Sequence, residues 1–136
     1  MLLIEDALEK QTLALGFEHP VTLISAQVLA DILLASGQLS EARTLYLSVL
    51  SAREKVLGGS HPDLIETLAG LVYVSLRQDH HEQAETYLQQ ILDLPQHDTA
   101  SNRQAIKNVL DRLVDYHKIA KNQQQVDYYL QKIEQL

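Results

Sequence analysis

One interval, 42 residues, recurs through the sequence and limits what the chain can fold into. The segment 15–20, Leu-Gly-Phe-Glu-His-Pro, returns at 57–62 as Leu-Gly-Gly-Ser-His-Pro. A further shift by 42 places Tyr87 on Tyr129, with apolar positions around them in phase. An interval that fits three segments predicts an array of stacked repeats, in which each repeat buries the apolar side of its neighbour.

Each repeat contains two helical patterns separated by a turn. In the first repeat, apolar residues follow helical spacing over 26–33 and again over 45–52. Gly37 lies between these patterns, where a left-handed residue commonly ends a helix. The corresponding turns of the next two repeats contain Asp79 and the pair Lys121-Asn122, and both Asp and Asn tolerate the left-handed conformation. The sequence therefore predicts a helical hairpin in each repeat.

Proline marks the boundaries between the repeats. Pro20 and Pro62 follow a glycine-containing break and are expected at the first position of a helix, where a missing N–H is harmless. The third boundary lacks the Leu-Gly pair, and Pro95 is expected to stop the preceding helix about one and a half turns early. Asp98 or Thr99 is then expected to cap a longer helix.

The length of 136 residues and the apolar content of 46% suit one folded domain. Residues 7–16 align with 49–58, so the chain begins in the second half of a repeat. We expect a single domain with seven helices, divided into a leading helix and three hairpins. The expected divisions are a leading helix at 1–16 and repeats at about 17–57, 58–96 and 97–136.

The order of motifs resembles that of a known repeat family. Leu-Gly-x-x-His-Pro, a long helix, Gly-x-x-x-Glu-Ala and a second helix together resemble the tetratricopeptide repeat. The long unit is similar to the 42-residue form found in kinesin light chains and many bacterial relatives. The small residue near the start of the second helix is Ala42, Ala84 or Val126. A HEAT-type helical repeat of similar period is the alternative fold, and the Gly-x-x-x-Glu-Ala turn argues against it.

The resemblance implies an all-α, right-handed α-solenoid of three antiparallel helix hairpins plus a leading half-repeat helix. The first helix of each pair would line a concave face that binds extended peptides or partner helices. Transferring the family's groove positions to this sequence gives nine candidate binding residues: Gln27, Asp31, Glu66, Tyr73, Arg77, Asn108, Asp111, Asp115 and Lys118.

Three of these candidates, Asp31, Tyr73 and Asp115, are spaced by 42 and are expected near the middle of the groove. The carboxylates in the groove favour a basic or amide-rich ligand. Alternatively, the aspartates only solvate a helix surface and Tyr73 only packs against it. Arg77 and Lys118 would then complement helix C-termini.

Composition argues against several other functions. With 11 Lys and Arg against 18 Asp and Glu, the net charge of -7 disfavours nucleic acid and anionic membranes as partners. The absence of cysteine excludes disulfides, thiolate metal ligands and a cysteine nucleophile. The six histidines lack metal-site spacing, and no phosphate-binding loop or nucleophile elbow occurs. We therefore expect no enzyme activity, no metal and no cofactor.

The expected function is non-catalytic protein–protein recognition in the cytoplasm, because no apolar run suits a signal peptide or a membrane span. Two alternatives stay open: a structural spacer or self-association segment of a larger signalling or regulatory protein, and an accessory module of an enzyme. Residues 2–4 are apolar and precede Ala7 and Leu8, which predicts an uncapped solenoid end. Such an end could form a homodimer through the leading helix.

Overall fold

The computed structural model describes residues 2–59, 61–94 and 100–136, with the backbone alone for residues 2 and 3. Within this part of the chain there are seven helices and no strand. The helices are α1 (Leu2–Leu15), α2 (Pro20–Ala35), α3 (Leu39–Leu57), α4 (Leu64–Arg77), α5 (His81–Asp93), α6 (Ala100–Ile119) and α7 (Gln123–Glu134). The predicted all-α repeat solenoid is confirmed.

The helices pack as a leading helix and three hairpins. Helix pairs α2–α3, α4–α5 and α6–α7 form the hairpins, and α1 packs on α2. The first helices are neighbours, since α4 contacts both α2 and α6. Fully buried Leu71, Val72 and Leu110 belong to one apolar core that extends from α2 to α7. Each repeat therefore buries the apolar side of the next, as the 42-residue interval predicts.

The turns inside the hairpins use left-handed residues at the predicted places, with one correction. Gly37 has a φ of 81° and Asp79 a φ of 63°, as expected. In the third hairpin the left-handed residue is Lys121, with a φ of 58°, and the prediction of Asn122 is wrong. Asn122 instead caps α7, where its side-chain oxygen accepts a hydrogen bond from the Gln125 N–H. This cap requires a negative φ at Asn122.

Histidine and proline begin the first two repeats in different ways. Pro20 is the first residue of α2, as expected, and His19 is its N-cap. Pro62 does not begin α4, because a turn closed by a hydrogen bond from the Leu64 N–H to the His61 carbonyl comes first. In both motifs the histidine Nδ1 accepts a bond from the backbone N–H two residues later, at 3.2 Å and 3.1 Å. The recurring histidines therefore fix the turns.

The third boundary shortens one helix and lengthens another. Helix α5 ends at Asp93, and Leu94 is extended, with a φ of −68° and a ψ of 131°, as expected for the residue before Pro95. Helix α5 has 13 residues against 19 in α3, whereas α6 has 20. The expected cap by Asp98 or Thr99 lies outside the described residues.

Helix α1 has a mixed outer surface. Its inward side places Ile4 and Leu8 against the core. Charged residues lie on the outer side, where Lys10 Nζ is 3.0 Å from Asp6 Oδ2. Leu13, in the last turn, is 82% exposed. Among the described side chains, exposed apolar surface on α1 is thus confined to its C-terminal end. No helix in the described part of the chain is long and apolar enough to span a bilayer.

Candidate functional site

A cleft opens where the N-terminal turns of α2, α4 and α6 meet the last turns of α3. Its volume is about 550 Å³, and we call it the N-terminal cleft. This volume lies in the range of sites that hold small ligands. Its apolar lining consists of Pro20, Leu23, Ile24, Val56, Leu57, Pro62 and Ile65, with Ala105 of α6. Ile24 is 59% exposed and Val56 is 49% exposed, so both present apolar surface to a ligand.

The rim of the N-terminal cleft is acidic. Glu18, Asp63 and Glu66 line it, with side chains 50%, 69% and 61% exposed. Arg53 is the one basic residue among the lining side chains, and its side chain is only 8% exposed. Lys55 lies beside the rim, where its Nζ is 2.8 Å from Glu18 Oε1. The excess of carboxylates favours a cationic or neutral ligand.

The changed lengths of α5 and α6 help to form this cleft. Helix α4 begins at Leu64, so a strict 42-residue repeat would begin α6 at residue 106. Helix α6 instead begins at Ala100. The six additional residues at the start of α6 bring Ser101 and Asn102 to the wall of the cleft. The irregular third boundary therefore builds a feature that a perfect repeat would lack.

A buried polar network supports the floor of the N-terminal cleft. Arg53 Nη1 donates to Glu66 Oε1 at 2.7 Å and to Thr67 Oγ1 at 3.0 Å. The Thr67 hydroxyl in turn donates to Gln27 Oε1 at 2.9 Å. These bonds connect α2, α3 and α4. Glu66 and Gln27, two of the predicted binding residues, are therefore also held by internal partners.

The same network continues to Asp31. Tyr46 is fully buried, and its hydroxyl donates to Asp31 Oδ1 at 2.5 Å. Gln27 Nε2 donates to the same oxygen at 3.3 Å. Partial burial of the carboxyl group raises the pKa of Asp31, although the bond from Tyr46 opposes that shift. Burial and the nearby Asp31 carboxylate raise the pKa of Tyr46. Asp31 thus serves the packing of α3 against α2.

A second cleft, of about 390 Å³, lies between the C-terminal halves of α4 and α6, and we call it the C-terminal cleft. Three predicted residues, Tyr73, Arg77 and Asp115, meet here. The guanidinium of Arg112 lies over the Tyr73 ring, 5.1 Å from its centroid, at cation–π distance. Arg77 Nη1 donates to the Leu34 carbonyl at the end of α2. Burial raises the pKa of Tyr73.

Like Gln27 and Asp31, the remaining three predicted residues line neither cleft. Asp111 Oδ2 is 3.0 Å from Lys107 Nζ, and Asn108 Oδ1 accepts a bond from Gln104 Nε2 at 2.8 Å. Lys118 is exposed near the end of α6. These three residues lie on α6 outside the lining of the two clefts.

A comparison with protein families now identifies the repeat. The family model for the tetratricopeptide repeat matches residues 22–97, more than half of the chain. The chain belongs to the tetratricopeptide repeat family. Repeats of this family generally mediate protein–protein interaction and are typically non-catalytic. A search of curated proteins found no match.

The groove positions transferred from the tetratricopeptide family do not include the residues that form the apolar lining of the N-terminal cleft. Arg53, Val56 and Leu57 belong to a second helix, whereas the transferred positions all lie on first helices. Ile24 was missed for another reason. Helix α2 is apolar on nearly every side, so the spacing of residues does not separate buried Leu23 from exposed Ile24. The available signal was the excess of aliphatic residues on α2 beyond what one buried stripe of a helix needs.

Away from the two clefts, the tetratricopeptide chain has a histidine cluster that joins α5, α6 and α7. His117 is 3% exposed, and its Nε2 has no hydrogen-bond partner. Glu85 Oε1 lies 3.8 Å from that nitrogen and accepts a bond from the Tyr129 hydroxyl at 3.0 Å. The His117 ring stacks on Tyr129 and lies 6.1 Å from that of His81. Among the described residues, no group of three or more His, Asp and Glu is arranged to hold a metal ion.

Mild acid is expected to destabilise the chain through His117. Burial lowers the pKa of His117 below 6.5, Glu85 opposes the shift, and His81 adds to it. The unfolded chain then binds the proton more readily, so stability falls as the pH falls through about 6.5. In urea unfolding, the midpoint should drop between about pH 7.5 and pH 6, and the drop should be smaller in His117→Phe. An equal drop in His117→Phe, with exposed His80→Gln as the matched control, would contradict this.

Proposed function

We propose that this tetratricopeptide domain is a non-catalytic recognition module that holds an extended segment of a partner protein over α4. The observation that carries the proposal is the N-terminal cleft, where exposed Ile24 and Val56 face an acidic rim. Exposed apolar surface enclosed by polar residues is typical of an interaction site. The 42-residue interval supports the kinesin-light-chain-like subtype and a single domain of one leading helix and three repeats.

The chemistry of the cleft defines the partner segment. An aliphatic or aromatic side chain would pack on Ile24, Val56 and Leu57, because burying such a side chain stabilises a complex by about 1.5–3 kcal/mol. A lysine or arginine beside it would face Asp63 and Glu66, whose side chains are mostly exposed. We therefore infer a ligand with an apolar residue next to a basic one.

Selection from a displayed library of random peptides tests this proposal. The wild type is expected to enrich peptides that contain an apolar residue beside a basic residue. A selected peptide, synthesised and measured by calorimetry, should bind Ile24→Ser at least about tenfold more weakly, since its apolar contact is lost.

Leu47→Ser is the matched control, because Leu47 is 39% exposed on α3 and lines neither cleft. Its affinity for the selected peptide should equal that of the wild type. Failure to enrich any peptide, or equal loss of affinity in Ile24→Ser and Leu47→Ser, would contradict the proposal. Unfolding midpoints of both variants establish that each is folded.

A further inference from the structure

The two clefts lie along one side of α4. Glu66 lines the N-terminal cleft, and Tyr73 and Arg77 line the C-terminal cleft. These residues are separated by seven and then four positions, so they lie on the same face of the helix. From Glu66 to Arg77, 11 residues along α4, the rise of 1.5 Å per residue gives about 16 Å. An extended segment of about five residues spans that distance.

The charges at the two ends of this face are opposite. The N-terminal cleft has three carboxylates on its lining. Against them stand the buried Arg53, which pairs with Glu66, and Lys55 beside the rim, which pairs with Glu18, so carboxylates remain in excess by one. The C-terminal cleft has two arginines, Arg77 and Arg112, against the single carboxylate of Asp115. The face is therefore acidic at one end and basic at the other.

Arg112 distinguishes this arrangement from ordinary helix capping. Arg77 donates to the Leu34 carbonyl, which is a capping role at the C-terminus of α2. Arg112 lies seven residues before the end of α6, so it is too far from the C-terminus to cap that helix. Its guanidinium lies over the Tyr73 ring instead. A guanidinium on an aromatic face keeps its N–H groups at the edge available to an acceptor. Its position is suited to binding a carboxylate in the cleft.

We propose that the groove over α4 is bipolar and selects partner segments with an acidic side chain about five residues from the apolar and basic pair. The acidic side chain would pair with Arg112 in the C-terminal cleft, because Arg77 is already bonded to the Leu34 carbonyl. This inference rests on the proposed function, because it needs the N-terminal cleft to hold the other end of the same segment. It adds a carboxylate to the ligand and fixes which end of the segment lies in each cleft.

The same peptide selection, repeated on Arg112→Gln, tests the proposal. The wild-type pool should show Asp or Glu about five positions from the apolar and basic pair. A synthetic peptide from that pool should bind the wild type about fivefold more weakly when its acidic residue is changed to the amide. The same change should have no effect on binding to Arg112→Gln, because the two changes remove one interaction.

Arg103→Gln is the matched control, since it removes the same charge from α6 and Arg103 lines neither cleft. In this variant the acidic preference should persist. A wild-type pool with the apolar and basic pair but no acidic preference would overturn the bipolar groove and leave the proposed function standing. Persistence of the acidic preference in Arg112→Gln would also overturn the bipolar groove alone. A pool with no enrichment at all would overturn both proposals.

Discussion

Replacing Gly70 with valine is expected to lower the free energy of unfolding by about 2–3 kcal/mol. A Cβ atom at Gly70 would lie 2.4 Å from Tyr46 Cζ and 2.5 Å from Cε1. The ring has little freedom to move, because Tyr46 is fully buried and its hydroxyl is held by Asp31. Glycine is thus required where α4 crosses the Tyr46 ring, despite its cost within a helix.

Urea unfolding measures this effect, with Gly59→Val as the matched control. A Cβ at Gly59 meets nothing within 4 Å, so that variant should unfold at the wild-type midpoint. In a Tyr46→Leu background, Gly70→Val should lower the free energy of unfolding by less, since the smaller leucine leaves room for valine. Leucine already occupies the equivalent positions 88 and 130 of the other repeats. Equal midpoints for the two glycine variants would show that α4 does not pack on Tyr46 in this way.

Arg53→Met is expected to destabilise the chain by about 2 kcal/mol. Methionine retains much of the apolar volume but loses the hydrogen bonds of Arg53 to Glu66 Oε1 and Thr67 Oγ1. Breaking a fully buried ion pair costs more, about 3–5 kcal/mol. Glu66 is 61% exposed, so in Arg53→Met water replaces part of the hydrogen bonding that Glu66 loses.

Lys55→Met provides the comparison for Arg53→Met, because the two residues lie on the same helix and each pairs with a glutamate. The Lys55–Glu18 pair is exposed, with side chains 72% and 50% accessible, so its loss should change stability little. Differential scanning calorimetry of the two variants gives the contrast. A larger loss in Lys55→Met than in Arg53→Met would contradict the network that supports the cleft.

Much of the fold could be predicted from the sequence, because the repeat interval and the turn residues are local signals. Gly37 and Asp79 indicated the hairpins directly. Lys121 was not predicted to be left-handed, because the preference of Asn122 for capping α7 depends on the position of the helix start. Pro62 similarly lies before α4, since the histidine turn adds residues that spacing alone does not reveal.

The candidate site was less predictable, because it depends on the differences between repeats. In the third repeat, Arg112 occupies the position equivalent to Gly70. Glycine lets α4 lie close to Tyr46, whereas the arginine side chain packs over the Tyr73 ring. Arg53 is charged, yet it is buried with partners from the next repeat. Such contacts join residues from separate helices, and a pattern within one helix does not specify them.

NMR mapping of a bound peptide locates the surface that the partner segment occupies. A peptide selected by the wild type is titrated into isotope-labelled protein, and the amide shift changes are assigned along the chain. We expect the largest changes at both clefts along α4, including Ile24, Glu66 and Arg112. Changes concentrated instead on the opposite cleft between α5 and α7, around Gln89 and Tyr128, would contradict it.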